Sequence, residues 1–390
     1  MKRLLLASAA TLAVSGPAAA QEVSLGVALG FTGPLESLAP PMASGAELAM
    51  SEVSDTGMMT VTPVRADSTC IDAAAAAAAG ERLVTSDRVD GIVGAMCSGA
   101  TIAVLQNVAL PNGVVMISPS ATSPALSTME DNGLFFRTAP SDARQGQVMA
   151  DIIMDRGIDT VAVSYTNNDY GKGLADSFEA AFTDMGGTVT LNTSHEDGKA
   201  DYSAEVGALA AAGGQALVVA GYVDQGGSGV VRAALDTGAF DTFVFPDGMV
   251  SQALVDNFGS EIDGSFGQNP AAAGEGRDTY VAMAEEAGFD GTSAFSAEAY
   301  DAAALVMLAM QAAGSTDPAD YKDHVMDVAN APGEQILPGQ LGEALQILAD
   351  GGEVDYQGAT AVELIGAGES AGNYREVEFG DGEMTVVGFR

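Results

Sequence analysis

The sequence has 390 residues, a formal net charge of −38 and a hydrophobic share of 47%. This length exceeds what one compact domain usually holds, so we expect two lobes, and the apolar content is sufficient for a core in each. The strong negative charge excludes nucleic acids and anionic lipid surfaces as partners, because both are themselves negatively charged.

The first twenty residues have the pattern of a secretory signal peptide. Lys2 and Arg3 form a basic start, an apolar run extends over residues 4–14, and Ala18-Ala19-Ala20 is an A-x-A cleavage pattern. We therefore predict cleavage after Ala20 and export to the periplasm. The apolar run is too short to span a bilayer, and no cysteine follows the cleavage site, so no membrane anchor is expected.

The mature chain begins with alternating strand and helix patterns. The predicted elements are a strand at residues 23–29, a helix at 43–53, a strand at 61–65 and a helix at 72–85. Cys70 and Cys97 each follow a strand-like run. In an exported chain we expect them to form a disulfide, which would fix the turn at Ser98; two unrelated free thiols are the alternative.

The stretch from Cys97 to Thr122 concentrates small polar groups. Apolar runs at residues 91–94 and 114–117 predict strands, and a helical stripe lies between them. A hydroxyl-rich turn follows each strand, and in a parallel sheet both turns lie at the same edge. Each turn leads into a helix N-terminus, where free backbone N–H groups favour an anion. We interpret this edge as a carboxylate-binding site.

A second series of strands and helices starts after residue 140. Polar groups again follow the predicted strands: Tyr170, Tyr222 and Asp247 each come after one. Two open α/β sheets with polar edges indicate a cleft between two lobes. A long apolar helix at residues 294–314 is assigned to the first lobe, and the tail after residue 351 carries short strand-like runs.

Residues typical of catalysis or metal binding are not arranged in known patterns. His195 and His324 have no companions at metal-ligand spacing, and no nucleophile elbow or phosphate-binding loop occurs. We therefore predict no catalytic residues, no metal and no cofactor, and we interpret the chain as a binding protein. A secreted hydrolase that uses a carboxylate pair is a less favoured alternative.

The polar residues at the strand ends suit a small amino acid. Ser98 and Thr122 could hold its carboxylate, and the Ser120 carbonyl and the Asp247 carboxylate could accept from its ammonium group. Tyr170 and Tyr222 would cover the ligand. Each polar residue taken alone is more simply explained as a cap or turn residue. The functional interpretation depends on their recurrence at strand ends of both lobes.

Several motifs together resemble the periplasmic branched-chain amino acid (Leu/Ile/Val) binding proteins, the substrate-binding proteins of ABC transporters. They comprise F-T-G-P at Phe31, Cys97-Ser98 after Cys70, M-I-S-P-S-A-T at Met116, Y-G-K-G-L at Tyr170, A-G-Y at Ala220, F-P-D-G at Phe245 and A-Y-D-A at Ala299.

The resemblance implies an α/β type I periplasmic-binding fold, with two doubly wound parallel-sheet lobes joined by three crossovers near Thr138, Gly267 and Asp355. The N-terminal lobe would comprise residues 21–138 and 268–355, and the C-terminal lobe residues 139–267 and 356–390. It also implies contacts to the ligand carboxylate and ammonium from Ser98, Ser120 and Thr122, a covering role for the two tyrosines, and an ammonium counter-charge at Asp247.

Two positions depart from the family pattern. Asp247 stands where the best-known members have glutamate, and Leu38 stands where they place an aromatic ring over the ligand. The leading function is a monomeric periplasmic receptor that delivers a small aliphatic amino acid to an inner-membrane ABC permease. A sensor of the same fold for an amide, urea or small carboxylate is the alternative. We interpret the acidic surface as an adaptation to salty water, and a docking face for a basic partner as the alternative.

Overall fold

The computed structural model describes residues 20–390. The predicted signal peptide lies outside them except for Ala20. Two seven-stranded sheets with interleaved helices organise the described part of the chain. We call each sheet with its helices a lobe: the first lobe is built on the sheet that contains residues 21–29, and the second lobe on the sheet that contains residues 160–166.

The first lobe opens with strands and helices that alternate as far as β3. They are β1 (Gln21–Leu29), α1 (Ala39–Asp55), β2 (Met59–Asp67), α2 (Ala73–Glu81), β3 (Gly91–Gly94), α3 (Ser98–Val104), α4 (Leu110–Asn112), β4 (Met116–Ser118) and β5 (Phe135–Pro140). Local sequence explains these elements. The Asp72 carboxylate caps α2 by accepting from the amides of Ala74 and Ala75, and the alanines that follow are the strongest helix formers.

The second lobe repeats this alternation. Its elements are α5 (Asp142–Asp155), β6 (Thr160–Thr166), α6 (Asp169–Asp184), β7 (Thr188–His195), α7 (Ser203–Ala212), β8 (Ala216–Ala220), α8 (Gly226–Thr237), β9 (Phe243–Phe245), α9 (Gln252–Phe258) and β10 (Phe266–Pro270). Side chains of Ser141 and Asn168 cap α5 and α6, which fixes where both helices start.

The chain then returns to the first lobe. The returning elements are α10 (Glu275–Ala287), α11 (Ser296–Ala313), α12 (Pro318–Tyr321), α13 (His324–Ala329), β11 (Glu334–Ile336), α14 (Leu341–Ala349), β12 (Val354–Tyr356), β13 (Leu364–Ile365) and β14 (Glu369–Ser370). Helix α11 is buried from Ser296 to Met310 and packs against α1, which places it on the first lobe. Strands β15 (Tyr374–Gly380) and β16 (Glu383–Phe389) complete the second sheet.

The strand order places a crevice at a defined edge of each sheet. The first sheet runs β13-β14-β5-β4-β3-β1-β2, and the second runs β16-β15-β10-β9-β8-β6-β7. The central strands are parallel, and β13, β15 and β16 are antiparallel to their neighbours. The order reverses beside β1 in one sheet and beside β6 in the other. Open α/β sheets bind ligands at the carboxyl ends of the strands beside such a reversal.

The crossings between lobes fall between β5 and α5, between β10 and α10, and between β14 and β15. The third crossing corrects the predicted boundary near Asp355, because residues 364–370 add two strands to the first sheet. Residues 268–270 were also predicted to belong to the N-terminal lobe, but they form the end of β10 in the second sheet. Strands β13 and β14 have two residues each, and a pattern of that length does not stand out among the surrounding glycines.

A disulfide joins Cys70 to Cys97, with the two Cα atoms 5.3 Å apart, and the pairing prediction is confirmed. It ties the loop after β2 to the residue that immediately precedes α3. A separate observation concerns hydropathy: among the helices of residues 20–390, none combines the length and the apolar character needed to cross a membrane.

Candidate ligand-binding site

A cavity lies between the two lobes at the carboxyl ends of the central strands. Its lining residues come from the loops after β1, β3, β4, β6, β8 and β9 and from the start of α11. They are Leu35, Met96, Cys97, Ser98, Ser120, Tyr170, Tyr222, Asp247, Gly248 and Phe295. The empty volume is about 280 Å³, and almost none of it is free for a molecule larger than water. A ligand of amino-acid size therefore needs the two walls to move apart.

The first-lobe wall is made by two loops that are tied together. The Ser118 hydroxyl donates to the Ala95 carbonyl over 2.6 Å, and the Ser120 hydroxyl donates to the Met96 carbonyl over 2.8 Å. The Ser123 amide donates to the Ser98 hydroxyl oxygen over 3.1 Å. These bonds join the loop after β3 to the loop after β4, so Ser98 and Ser120 are held in fixed positions.

The same bonds determine what each serine can offer a ligand. Ser98 uses a lone pair on its oxygen and keeps its hydroxyl hydrogen, so it can donate to a carboxylate. Ser120 uses its hydrogen and keeps lone pairs, so it can accept from an ammonium group. A donor and an acceptor thus stand side by side on the first lobe.

The second-lobe wall carries an acid and two aromatic rings. The Tyr170 hydroxyl donates to Oδ1 of Asp247 over 2.5 Å, and the Gly248 amide donates to the same oxygen over 2.8 Å. The rings of Tyr170 and Tyr222 are stacked, with centroids 5.2 Å apart and an interplanar angle of 9°. All three side chains are buried. Tyr170 therefore holds the acid in place, and Tyr222 supports the ring of Tyr170.

Burial sets the charge states of this wall. It raises the pKa of Asp247 above its usual value, and hydrogen bonds from Tyr170, Gln145 and the Gly248 amide act in the opposite direction. Burial holds the pKa of Tyr170 well above its usual value, and the nearby negative charge of Asp247 is the second cause. Tyr170 is therefore a permanent donor, and Asp247 gains from any cation that enters the closed cavity.

Two predicted site residues lie elsewhere. Leu38 lines a separate surface depression beside Pro41 and Val250, because it ends the turn at the start of α1; Leu35 supplies the aliphatic wall instead, and we correct the prediction accordingly. Thr122 is buried, but it is not among the residues that line the cavity. Its carbonyl accepts from the Asp142 amide over 2.8 Å.

Sequence reasoning missed an aromatic residue in the wall. Phe295 is buried at the N-cap of α11 and has a φ of 62°, a conformation uncommon for a bulky side chain. Its ring, Leu35 and Met96 make the apolar part of the cavity. No signal in the sequence connects Phe295 to this edge. Helix α11 comes after the central strands of both sheets in the chain, so its start does not directly follow any of the strands whose ends form the cavity.

Other reactive groups lie outside the cavity. His195 is buried beside β6, where its Nδ1 lies 2.8 Å from the Ser164 hydroxyl, and burial lowers its pKa to about 4. Across the described residues, no group of three or more histidine, cysteine, aspartate or glutamate side chains could hold a metal ion. The cavity itself offers a hydroxyl donor, a hydroxyl acceptor and a carboxylate to a small polar ligand.

Comparison with known proteins agrees with this geometry. The family model described as periplasmic binding protein matches residues 22–331. A Leu/Ile/Val-binding protein homolog from Brucella suis is 31% identical over 322 residues, which is 80% of this chain and 84% of the relative. The chain belongs to the periplasmic binding protein family.

Solved structures of other periplasmic binding proteins share the fold. The branched-chain amino acid transporter protein LivJ of Streptococcus pneumoniae, in complex with isoleucine, has a TM-score of 0.77 at 21% identity and covers 94% of this chain and 99% of its own. An R. palustris solute-binding protein in complex with benzoate has a TM-score of 0.75 at 17% identity and covers 94% and 96%. These likenesses show the type I periplasmic-binding fold.

Proposed function

We propose that this chain is a periplasmic receptor that captures a small aliphatic amino acid between its lobes and delivers it to an inner-membrane ABC permease. The observation that carries the proposal is the single cavity in which Ser98 and Ser120 of one lobe face Asp247 of the other. In this proposal the signal peptide directs export, and the receptor acts as a monomer.

Each wall of the cavity has a role in the proposed complex. Ser98 donates to the ligand carboxylate, and Ser120 and Asp247 accept from its ammonium group. Leu35, Met96 and Phe295 pack against an aliphatic side chain. Tyr170 and Tyr222 close over the polar end and keep Asp247 oriented.

Binding favours the closed arrangement because only there does the ligand contact both lobes. A direct bond between lobes adds to this preference: the Ser37 amide of the first lobe donates to Oδ2 of Asp224 in the second over 2.8 Å. The Asp224 amide donates in turn to the Pro34 carbonyl over 3.1 Å. We call this pair of bonds the latch.

Replacing Asp224 by alanine is expected to weaken binding of an aliphatic amino acid by about three- to tenfold. The variant loses one charge-assisted hydrogen bond that exists only in the closed state, which is worth roughly 1 kcal/mol. Titration calorimetry measures the change. Asp236→Ala is the matched control, an exposed acid of the same lobe, and equal affinities of the two variants would show that the latch does not stabilise closure.

A thermal-shift panel tests the proposed ligand class. Leucine, isoleucine and valine should each raise the melting temperature, because a ligand at one hundred times its Kd stabilises the folded state by about 2.7 kcal/mol. The panel includes amides, urea and benzoate, because a relative of this fold was solved with benzoate. A shift with benzoate and with none of the aliphatic amino acids would contradict the proposal and favour the carboxylate alternative.

A further inference from the structure

A buried polar cluster lies behind the cavity, where the chain crosses between lobes. Its members come from the loop after β4, from α5, from β10 and from β15. Among residues 20–390, Oε1 of Gln145, Nε2 of Gln268 and the Tyr374 hydroxyl have no hydrogen-bond partner, and the Asp142 carboxylate has none other than the Thr122 hydroxyl beside it. Each of these side chains is buried. Unpartnered buried polar groups are rare in folded proteins and call for a functional explanation.

The cluster is connected to Asp247 of the binding cavity. Gln145 lies one helical turn after Asp142 on α5; it donates to Oε1 of Gln268 over 3.3 Å and also hydrogen-bonds Asp247. Burial raises the pKa of Asp142 well above its usual value, and the negative charge of Asp247 is the second cause of this increase. The Asp142 amide also donates to the carbonyl of Thr122, two residues from Ser120, which lines the same cavity as Asp247. Both acids are therefore buried in the same part of the molecule, and Gln145 links Asp247 to Gln268 of β10.

No described cation neutralises this pair of acids. The charge of Arg137 on β5 lowers the pKa of Asp142 slightly, but its guanidinium donates to the carbonyls of Ala121 and Ser123 and pairs with Glu369. Arg144 of α5 is exposed and faces Tyr374. The remaining titratable neighbours, Tyr170, Tyr222 and Tyr374, are neutral phenols. Two buried carboxyl groups that interact in this way, with no cation paired to either, do not both ionise at neutral pH.

We propose that Asp142 is a second acidic determinant of the ligand class, and that it shares one proton with Asp247 until the ammonium group of a ligand displaces that proton. In the free protein the pair holds one proton and one negative charge. In the complex both carboxylates are ionised, the ammonium supplies one positive charge, and the proton passes to solvent. A ligand without an amine cannot replace the proton, so it is rejected. This inference rests on the proposed function.

Titration calorimetry with the mature chain tests the exchange, using leucine and 4-methylpentanoate, its analogue without the amine. Comparing the binding enthalpy in two buffers of different ionisation enthalpy gives the number of protons released. Wild type should release close to one proton per leucine at pH 6. Its affinity for leucine should also increase as the pH rises from 5 to 8. Asp142→Asn should release none and show no such pH dependence. At pH 8 the ratio of the affinity for leucine to the affinity for 4-methylpentanoate should be at least tenfold lower in the variant than in wild type.

Thermal unfolding without ligand gives a second, independent readout. A group whose pKa is raised by folding stabilises the protein while it is protonated, and this contribution is lost as the pH rises through the folded-state pKa. Asparagine resembles the protonated acid. The melting temperature of Asp142→Asn should therefore equal that of wild type at pH 5 and exceed it at pH 8. Asp151→Asn, on the same helix outside the cluster, should follow wild type at both values.

The outcomes separate the two proposals. If wild type binds neither leucine nor any other aliphatic amino acid, the proposed function fails, whereas the melting curves still report whether Asp142 holds a proton. If leucine binds but Asp142→Asn keeps the wild-type proton release and selectivity, only the inference about Asp142 is overturned. A lower melting temperature of Asp142→Asn at both pH values would also overturn it, because that result indicates a purely structural acid.

Discussion

Replacing Asp247 by alanine is expected to weaken binding of an aliphatic amino acid by at least tenfold and by up to about a thousandfold. The carboxylate is buried at the polar end of the cavity, and its orientation is fixed by the Tyr170 hydroxyl and the Gly248 amide. Without it the ligand ammonium enters a closed cavity with no counter-charge from the second lobe. Removing one partner of a fully buried ion pair costs about 3–5 kcal/mol, and the remaining acceptor at Ser120 offsets part of that loss here. Titration calorimetry at pH 8 measures the loss.

Two further variants separate charge from shape at this position. Asp247→Asn keeps the size of the side chain and removes its charge, so it should lose nearly as much affinity as alanine. Tyr170→Phe removes only the hydroxyl that orients the acid and should lose about tenfold or less. If the asparagine variant bound like wild type, Asp247 would not be the partner of the ammonium group.

Asp301→Asn is expected to destabilise the first lobe by about 3–5 kcal/mol. The buried Asp301 carboxylate of α11 accepts four hydrogen bonds, from the Tyr356 hydroxyl over 2.7 Å, from the amides of Ala359 and Thr360 over 2.8 and 2.9 Å, and from the Thr360 hydroxyl over 2.6 Å. Asparagine puts an NH₂ group where two of these donors point. Two buried donors are then left without an acceptor, and each costs about 1–3 kcal/mol.

Urea unfolding followed by circular dichroism measures this loss. Glu363→Gln is the matched control, because Glu363 is an exposed acid shortly after the same segment, and its unfolding midpoint should agree with wild type. An unchanged midpoint for Asp301→Asn would mean that the four bonds add nothing to the attachment of residues 356–360 to α11.

The fold could be predicted from the sequence because its strands and helices alternate with clear periodicity. The strand ends also carried recognisable polar residues, so Ser98, Ser120, Tyr170, Tyr222 and Asp247 could be assigned to one cleft before any coordinates were known. The third crossing could not be placed, since β13 and β14 are recognised only by their pairing in the first sheet.

The remaining parts of the site depend on contacts that a sequence pattern does not carry. Phe295 reaches the cavity from a helix that returns to the first lobe late in the chain, and Leu35 replaces Leu38 because of how the turn before α1 is folded. Asp142 follows Ser141 at a helix start, where an acid is normally an exposed partner of the helix dipole. Here Ser141 is the cap and the acid is fully buried.

The burial of α11 against α1 has a consequence for how the polypeptide reaches its native state. The central strands of the second sheet, β6 to β10, are contiguous in the chain, whereas the first sheet is covered only once residues 296–313 have arrived. Contacts between distant segments form slowly, because a long loop must close first. We therefore expect refolding to proceed in two stages, with amide protons of β6 and β8 protected from exchange before those of β1 and β3.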